Sequence, residues 1–309
     1  MLLEQEKQVL VISNLIYFFI IFKIIYLYNM NQPIIGLYLS PYPKWVQNNN
    51  DAHNYLFLFG SFIDHELTIF KNNNYKYVII PYNINNKLID ETLRMIDGLI
   101  VCGNFPGPYN NDKEHKLHYK TLRILFKKII KINHVRPFPV LGECYGYEML
   151  INCIENKYYY DCKLFNNLNV QTPMFYKKTT FLNKKYKNIK SYFYLNIGFL
   201  YNNLKKTKNL KHDYEIISIV KINKHKMIDI MKHNLYPIYL AKSHLFYDNK
   251  VIKKEFLYYS KLSYEYRHLH DKESKINKFP LKMLKYKTIK NPNSEYIEHE
   301  KKIRLYKIN

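Results

Sequence analysis

The sequence predicts an α/β fold: a doubly wound, mostly parallel sheet with flanking helices. Three observations point to it. Apolar runs of strand length alternate with helical patterns through the first half of the chain. Breaker-rich loops follow the ends of such runs, as in Gly103-Asn104-Phe105-Pro106-Gly107-Pro108. One junction, Gly142-Glu143-Cys144-Tyr145-Gly146, reads as strand, sharp turn and helix with a thiol at the apex.

The elements follow in order. Pro33 to Leu39 (PIIGLYL) is a short apolar run and predicts a buried strand. Phe62 to Phe70 has helical character and ends at the polar turn Asn72-Asn73-Asn74. Tyr77 to Pro81 predicts a second strand, Leu88 to Met95 a short helix ending at Asp97-Gly98, and Leu99 to Cys102 a third strand. Tyr119 to Ile132 is a basic amphipathic helix, and Phe138 to Leu141 a fourth strand that leads to the turn and a helix from Tyr147. From Asn156 to Asn209 the pattern is β-like and lysine-rich, clearest over Tyr192 to Leu200. Strands are expected at Tyr214 to Ile222, Lys226 to Met231 and Tyr236 to Ala241, and a closing helix at Val251 to His270. Residues 286–309 read as a polar tail.

The chain has 309 residues, enough for one large core or two smaller ones. Its formal net charge is +23, which by itself suggests a polyanionic partner. Composition supplies a plainer cause. Tyr, Asn, Lys, Ile and Phe abound while Ala occurs only at 52 and 241, the signature of AT-rich codons. There is no Lys/Arg-dense arm, no RNP-type strand and no Cys/His finger spacing, so nucleic acid is not the expected partner. A basic surface also suits a smaller, multiply charged anion.

Four cysteines (102, 144, 153 and 162) are too few and too scattered for a disulfide scaffold, although spacing leaves a Cys153–Cys162 bridge open. His115 with His118, and His268 with His270, lack a convincing third ligand, so neither a metal nor another cofactor is expected. Residues 1–30 read as a signal peptide or membrane anchor. The run Val9 to Tyr28 is apolar except for Ser13, Asn14 and Lys23, and would direct the chain to the secretory route or touch a membrane.

The chemistry concentrates at Cys144. Glycines on both sides allow a turn that forces the apex residue toward strained backbone angles. The helix that follows aims its amides at the sulfur, which predicts a lowered thiol pKa. A buried Cys in a tight turn is the plainer alternative. Both Cys144 and Gly103-Asn104 fall at carboxyl ends of predicted strands, where parallel sheets carry their sites.

With these residues in view, the chain resembles gamma-glutamyl hydrolases (peptidase family C26) of the class I glutamine amidotransferase-like superfamily. Pro33-Ile34-Ile35-Gly36 resembles the family's opening strand, and Ile96 to Asn104 its "I-N-G-I-L-F-P-G-G" segment. Pro139 to Glu148 resembles "P-V-W-G-T-C-L-G-F-E", and Lys163-Leu164-Phe165-Asn166 the "K-L-F" that follows. Tyr236 to Tyr239, leading to His244, resembles "Y-P-V-Y-G-V-Q-W-H-P-E". The likeness spans most of residues 33–270 and gives residues 31–285 as a gamma-glutamyl hydrolase-like domain.

The resemblance implies cleavage of γ-linked glutamyl tails on folates, in a vacuole or lysosome or outside the cell. Cys144 would be the nucleophile and His244 the base. Backbone amides near Gly103, Asn104 and Tyr145 would hold the oxyanion. Asn196 falls where the family carries a further His. The substrate would be a folyl-poly-γ-glutamate; a homodimer is left open. Departures are equally clear. The family's Glu two residues after the catalytic His is Phe246 here, the Pro after the His is Leu245, and the second Gly of the oxyanion segment is Asn104. Phe246 cannot orient an imidazole, and Asp248 lies two residues further on. A catalytically impaired protein of the same fold is therefore the alternative. A third reading is a glutaminase that feeds ammonia to a synthase.

Overall fold

The computed structural model describes residues 32–40, 75–80, 82–103, 113–157, 165–167, 179–181, 197–222, 225–243, 250–274 and 304–306. By backbone contacts the chain divides into Met1–Gln32 and Pro33–Asn309, and the fold below is that of the second unit. The apolar run at 9–28, the predicted helix at Phe62 to Phe70, Asn104, Cys162, Asn196, His244, Leu245, Phe246 and Asp248 lie outside the described residues.

The first half alternates as predicted: β1 (Ile34–Tyr38), β2 (Lys76–Ile80), α1 (Asn86–Met95), β3 (Gly98–Val101), α2 (Lys113–Asn133), β4 (Val140–Glu143) and α3 (Tyr145–Ile154). Three short strands follow, β5 (Phe165–Asn167), β6 (Thr179–Phe181) and β7 (Ile197–Phe199). A 3₁₀ turn at Tyr201–Lys206 and the one-turn α4 (Leu210–Asp213) come next. The long hairpin β8 (Tyr214–Ile222) and β9 (His225–His233), then β10 (Ile238–Ala241), α5 (Lys250–Ser274) and β11 (Arg304–Tyr306), complete the order.

Among the described residues nine strands form one sheet in the order β11-β2-β1-β3-β4-β10-β9-β8-β6, while β5 and β7 pair separately. The central pairs β2–β1, β1–β3, β3–β4 and β4–β10 are parallel. Antiparallel pairing flanks them, through β10–β9, β9–β8 and β8–β6 on one side and β11–β2 on the other. The doubly wound, mostly parallel sheet with flanking helices is thus as the sequence predicts. Chain order reverses at β1, with β2 on one side and β3 on the other, and such a switch point opens a crevice at the carboxyl edge.

Burial follows the strand period of two. Tyr38, Leu99, Val101, Val140, Ile238 and Leu240 face a core with Ile89 and Leu93 of α1, Leu122, Leu125 and Ile129 of α2, and Leu150 of α3. Ile35, Leu37, Ile100, Leu141, Tyr239 and Ala241 face the other side, against Ile252, Phe256 and Leu257 of α5. Each fully buried large side chain adds about 1.5–3 kcal/mol of apolar stabilisation, so the two layers together fix the sheet between its helices.

Several boundaries differ from the sequence expectation. α1 starts two residues early because the Asn85 side chain accepts from the Lys87 N–H at 3.0 Å and caps it. α2 starts six residues before Tyr119 and so includes His115 and His118, both buried. β4 runs to Glu143, which is buried. Arg304–Tyr306, part of the predicted polar tail, pair with β2. No helix among the described residues is long and apolar enough to cross a membrane.

Candidate active site

Three strand ends meet at one edge. Gly103 and Cys144 each lie two residues beyond the paired positions Val101 and Gly142 of parallel strands β3 and β4. Lys242 follows the pair Ala241–Glu143 of β10 and β4, which brings it level with Cys144. The Cys144 N–H donates to the Ala241 carbonyl at 3.0 Å and pins the turn to β10.

Cys144 has φ 52° and ψ −109°. Its φ lies in the left-handed half of the map, which costs a residue with a Cβ about 1–3 kcal/mol. The strain persists because its surroundings leave no alternative. A Cβ on Gly146 would overlap the Val101 carbonyl, and one on Gly142 would come within 2.9 Å of the Gly146 carbonyl. The two glycines let α3 start directly against the end of β3, so its first turn points at the sulfur. Gly146→Ala is expected to destabilise the protein by about 2–3 kcal/mol, because backbone must move to admit the methyl group. A urea titration checks this, and an unchanged midpoint would contradict the packing.

The thiol is buried near an ion pair. Tyr145 to Cys153 are all buried, and Cys144 itself is 5% exposed. Glu148, one turn along α3 from the sulfur, is ion-paired with Lys242, and both side chains are almost fully buried. Burial pushes the Cys144 thiol up, Lys242 pulls it down, Glu148 pushes it up and the Tyr145 backbone amide pulls it down. The net direction is upward. This corrects the sequence expectation of a lowered thiol: the helix amide acts in the expected sense, but desolvation outweighs it. The acid that raises it is Glu148 on the helix. Burial also pulls the Lys242 ammonium down, yet Glu148, helped by Cys144, carries it above its ordinary range.

The chain just past β10 is held as firmly. Buried Asp229 on β9 accepts the Ser243 N–H at 3.2 Å and the Ser218 hydroxyl at 3.1 Å, and its carbonyl accepts the Lys242 N–H at 2.8 Å. Among the described residues the buried Ser243 hydroxyl has no hydrogen-bond partner.

An aromatic cluster supports the turn from α2. The His115 Nδ1 lies 3.1 Å from the Tyr145 hydroxyl. His118 stacks on Tyr38 at 5.1 Å between ring centroids and also meets the rings of Tyr82 and Tyr145. Among the described residues neither His118 ring nitrogen has a hydrogen-bond partner.

Of the residues expected at the site, Cys144, Tyr145 and Gly103 fall at one sheet edge, while His244, Asn104 and Asn196 lie outside the described residues. Cys102 and Cys153 are buried. Among the described residues no group of His, Cys, Asp or Glu is placed to hold a metal ion. Sequence reasoning missed the Lys242–Glu148 pair and Asp229. Each left a trace: Lys242 directly extends the apolar run Ile238–Ala241, and Asp229 interrupts Met227-Ile228 and Ile230-Met231.

No protein-family model matches the chain, and no curated protein matches it by sequence. Among solved structures it is similar to a protein described as a GMP synthase component from Thermoplasma acidophilum, with a TM-score of 0.48 and 14% identity over 78% of this chain and 98% of that one. It is also similar to PurLQS from Thermotoga maritima, with a TM-score of 0.42 and 10% identity over 76% of this chain and 99% of that one. Neither likeness decides what this chain does; its own residues must.

Proposed function

We propose that the chain is a cysteine-type hydrolase that cleaves γ-glutamyl bonds, with folate polyglutamates as the substrate class. The observation that carries this reading is the backbone of Cys144, strained at φ 52° at the apex between β4 and α3. That is the geometry of a nucleophile presented at the carboxyl edge of a parallel sheet. The ordered motif likeness, from Ile96 through Pro139 to Tyr236, supplies the choice of bond.

In this mechanism Cys144 Sγ adds to the γ-amide carbonyl carbon as His244 takes the thiol proton. The negative oxygen would rest on backbone amides at Gly103, Asn104 and Tyr145. The amine leaves with the proton from His244, which gives a thioester between Cys144 and the glutamyl carbonyl. Water, activated by the same imidazole, then releases the acid and the free thiol. Because burial holds the resting thiol up, removal of its proton belongs to the attack step. Surface lysines would draw in the polycarboxylate tail.

The test is glutamate release from pteroyl-polyglutamate under reducing conditions from mildly acidic to neutral pH. Cys144→Ser is expected to lower kcat/KM by on the order of a thousandfold or more, since a serine is far less ionised and lacks its own matched base. Absence of release by the unmodified protein across that range defeats the hydrolase reading. A second reading, a binding protein of the same fold that no longer turns over, is favoured by Phe246 in place of the family's Glu. It is the right one if both proteins bind the polyglutamate equally and neither releases glutamate.

A further inference from the structure

The Lys242–Glu148 pair is a second unusual feature of this edge. Two opposite charges are buried at the point where β4, β10 and α3 converge, with Lys242 4% exposed. Desolvation of a buried pair commonly matches or exceeds the attraction between its members, so stability alone is a weak reason for one to exist. Its placement supplies a better reason. The β4–β10 register brings Lys242 level with Cys144, and the Cys144 N–H to Ala241 carbonyl bond locks that alignment. Glu148 lies four residues past Cys144 on α3, one turn from the sulfur. Its carboxylate fixes the lysine head there.

We propose that Lys242 is the cation that stabilises the Cys144 thiolate, and that Glu148 is the tether that holds it there. Lys242 is a positioning residue for charge: when the thiol proton leaves for the base, the electron pair on sulfur remains beside an ammonium that cannot reorient. The proposal rests on the reading of Cys144 as a nucleophile. Among the described residues, other buried ionisable groups on the elements that meet here include Glu143 on β4, Asp229 on β9, and Tyr145 and Tyr147 on α3, with His115 of α2 at the Tyr145 hydroxyl. Asp229 is turned to Ser218 and Ser243. Among the described residues Lys242 is the one cation whose charge acts to lower this thiol's pKa.

The experiment is iodoacetamide alkylation of Cys144, followed by mass spectrometry of its peptide across a pH series from about 6 to about 10. The proteins are the unmodified chain, Lys242→Arg, and the double variant Lys242→Met/Glu148→Met, which removes both charges and leaves neither buried ion without its partner. Loss of Glu148, which pushes the thiol up, offsets part of the loss of Lys242, so the alkylation rate at neutral pH is expected to fall about threefold in the double variant, with its pH midpoint moved up by about half a unit. Lys242→Arg is expected to keep the parent midpoint, since the charge remains. A thermal melt of each variant accompanies the profile, because a merely structural pair would change the melt and leave the midpoint in place. An unmoved midpoint in the folded double variant overturns the proposal, as does a parent Cys144 that no pH renders reactive. The readout is independent of turnover. A Lys242-dependent thiolate without glutamate release sinks the hydrolase reading alone, and release with a Lys242-independent thiolate sinks this proposal alone.

Discussion

Asp97→Ala is expected to lower the free energy of unfolding by about 3–5 kcal/mol, a large share of what a domain of this kind possesses. Asp97 is fully buried just before β3. Its carboxylate accepts the Ile34 N–H at 3.0 Å and a two-pronged contact from Arg267 of α5, with both bonds at 2.9 Å. Arg136 adds a longer contact at 3.5 Å, and itself donates to the carbonyls of Ser263, Leu93 and Ile96 and to the Ser263 hydroxyl. One acid therefore ties β1, β3, the α2–β4 connection and α5 together. Removing it leaves a partly buried guanidinium and a backbone N–H without their acceptor. Equilibrium urea unfolding measures the loss. Adding Arg267→Met to the alanine variant should recover on the order of 1–2 kcal/mol, because the orphaned charge goes with it. A loss below about 1 kcal/mol for Asp97→Ala would mean that the network contributes little.

The second large effect is acid lability through His118. Burial, with a smaller push from neighbouring His115, lowers its pKa from 6.5 to about 3. The folded state therefore holds His118 neutral, and the unfolded chain takes up a proton below about pH 6.5. Between the two values the unfolded state binds more protons, so stability is complete above about pH 6.5 and falls as pH falls towards about 3. The loss from this one ring is roughly 2 kcal/mol at about pH 5 and about 4 kcal/mol at about pH 3. His118→Phe should remove that part of the pH dependence. It should also raise stability at neutral pH by about 1–3 kcal/mol, since an apolar ring replaces two buried nitrogens that have no hydrogen-bond partner among the described residues and keeps the stack on Tyr38. Urea midpoints at neutral and mildly acidic pH for both proteins decide the matter; equal slopes would remove His118 as the cause. The expectation of a vacuolar or lysosomal location makes the comparison pointed, because the ring lies against Tyr145, the first residue after the thiol.

Much of the architecture is legible in the sequence because it rests on local periodicity. The apolar runs around Ile35, Val78, Ile100, Leu141 and Leu240 are strands because both faces of a parallel sheet are covered, which leaves continuous apolar segments. The turn at Cys144 is legible because two of the chain's 8 glycines bracket it. What escapes depends on long-range encounters. The α2 start at Lys113 is hidden because Glu114, His115 and Lys116 look like loop residues, although His115 is buried against Tyr145. The direction of the thiol's shift is hidden because a helix terminus is visible in sequence and desolvation is not. The Lys242–Glu148 pair joins residues 94 positions apart, and only the β4–β10 register brings them together.

The backbone at position 144 has one more implication. Glycine adopts a φ of 52° without penalty, and cysteine does not. Replacing the whole side chain by a hydrogen atom would therefore relax the main chain at that corner. The molecule folds in spite of its side chain there, not because of it. Any use the protein has for position 144 must accordingly lie in the sulfur, since the path of the polypeptide would be better served without it.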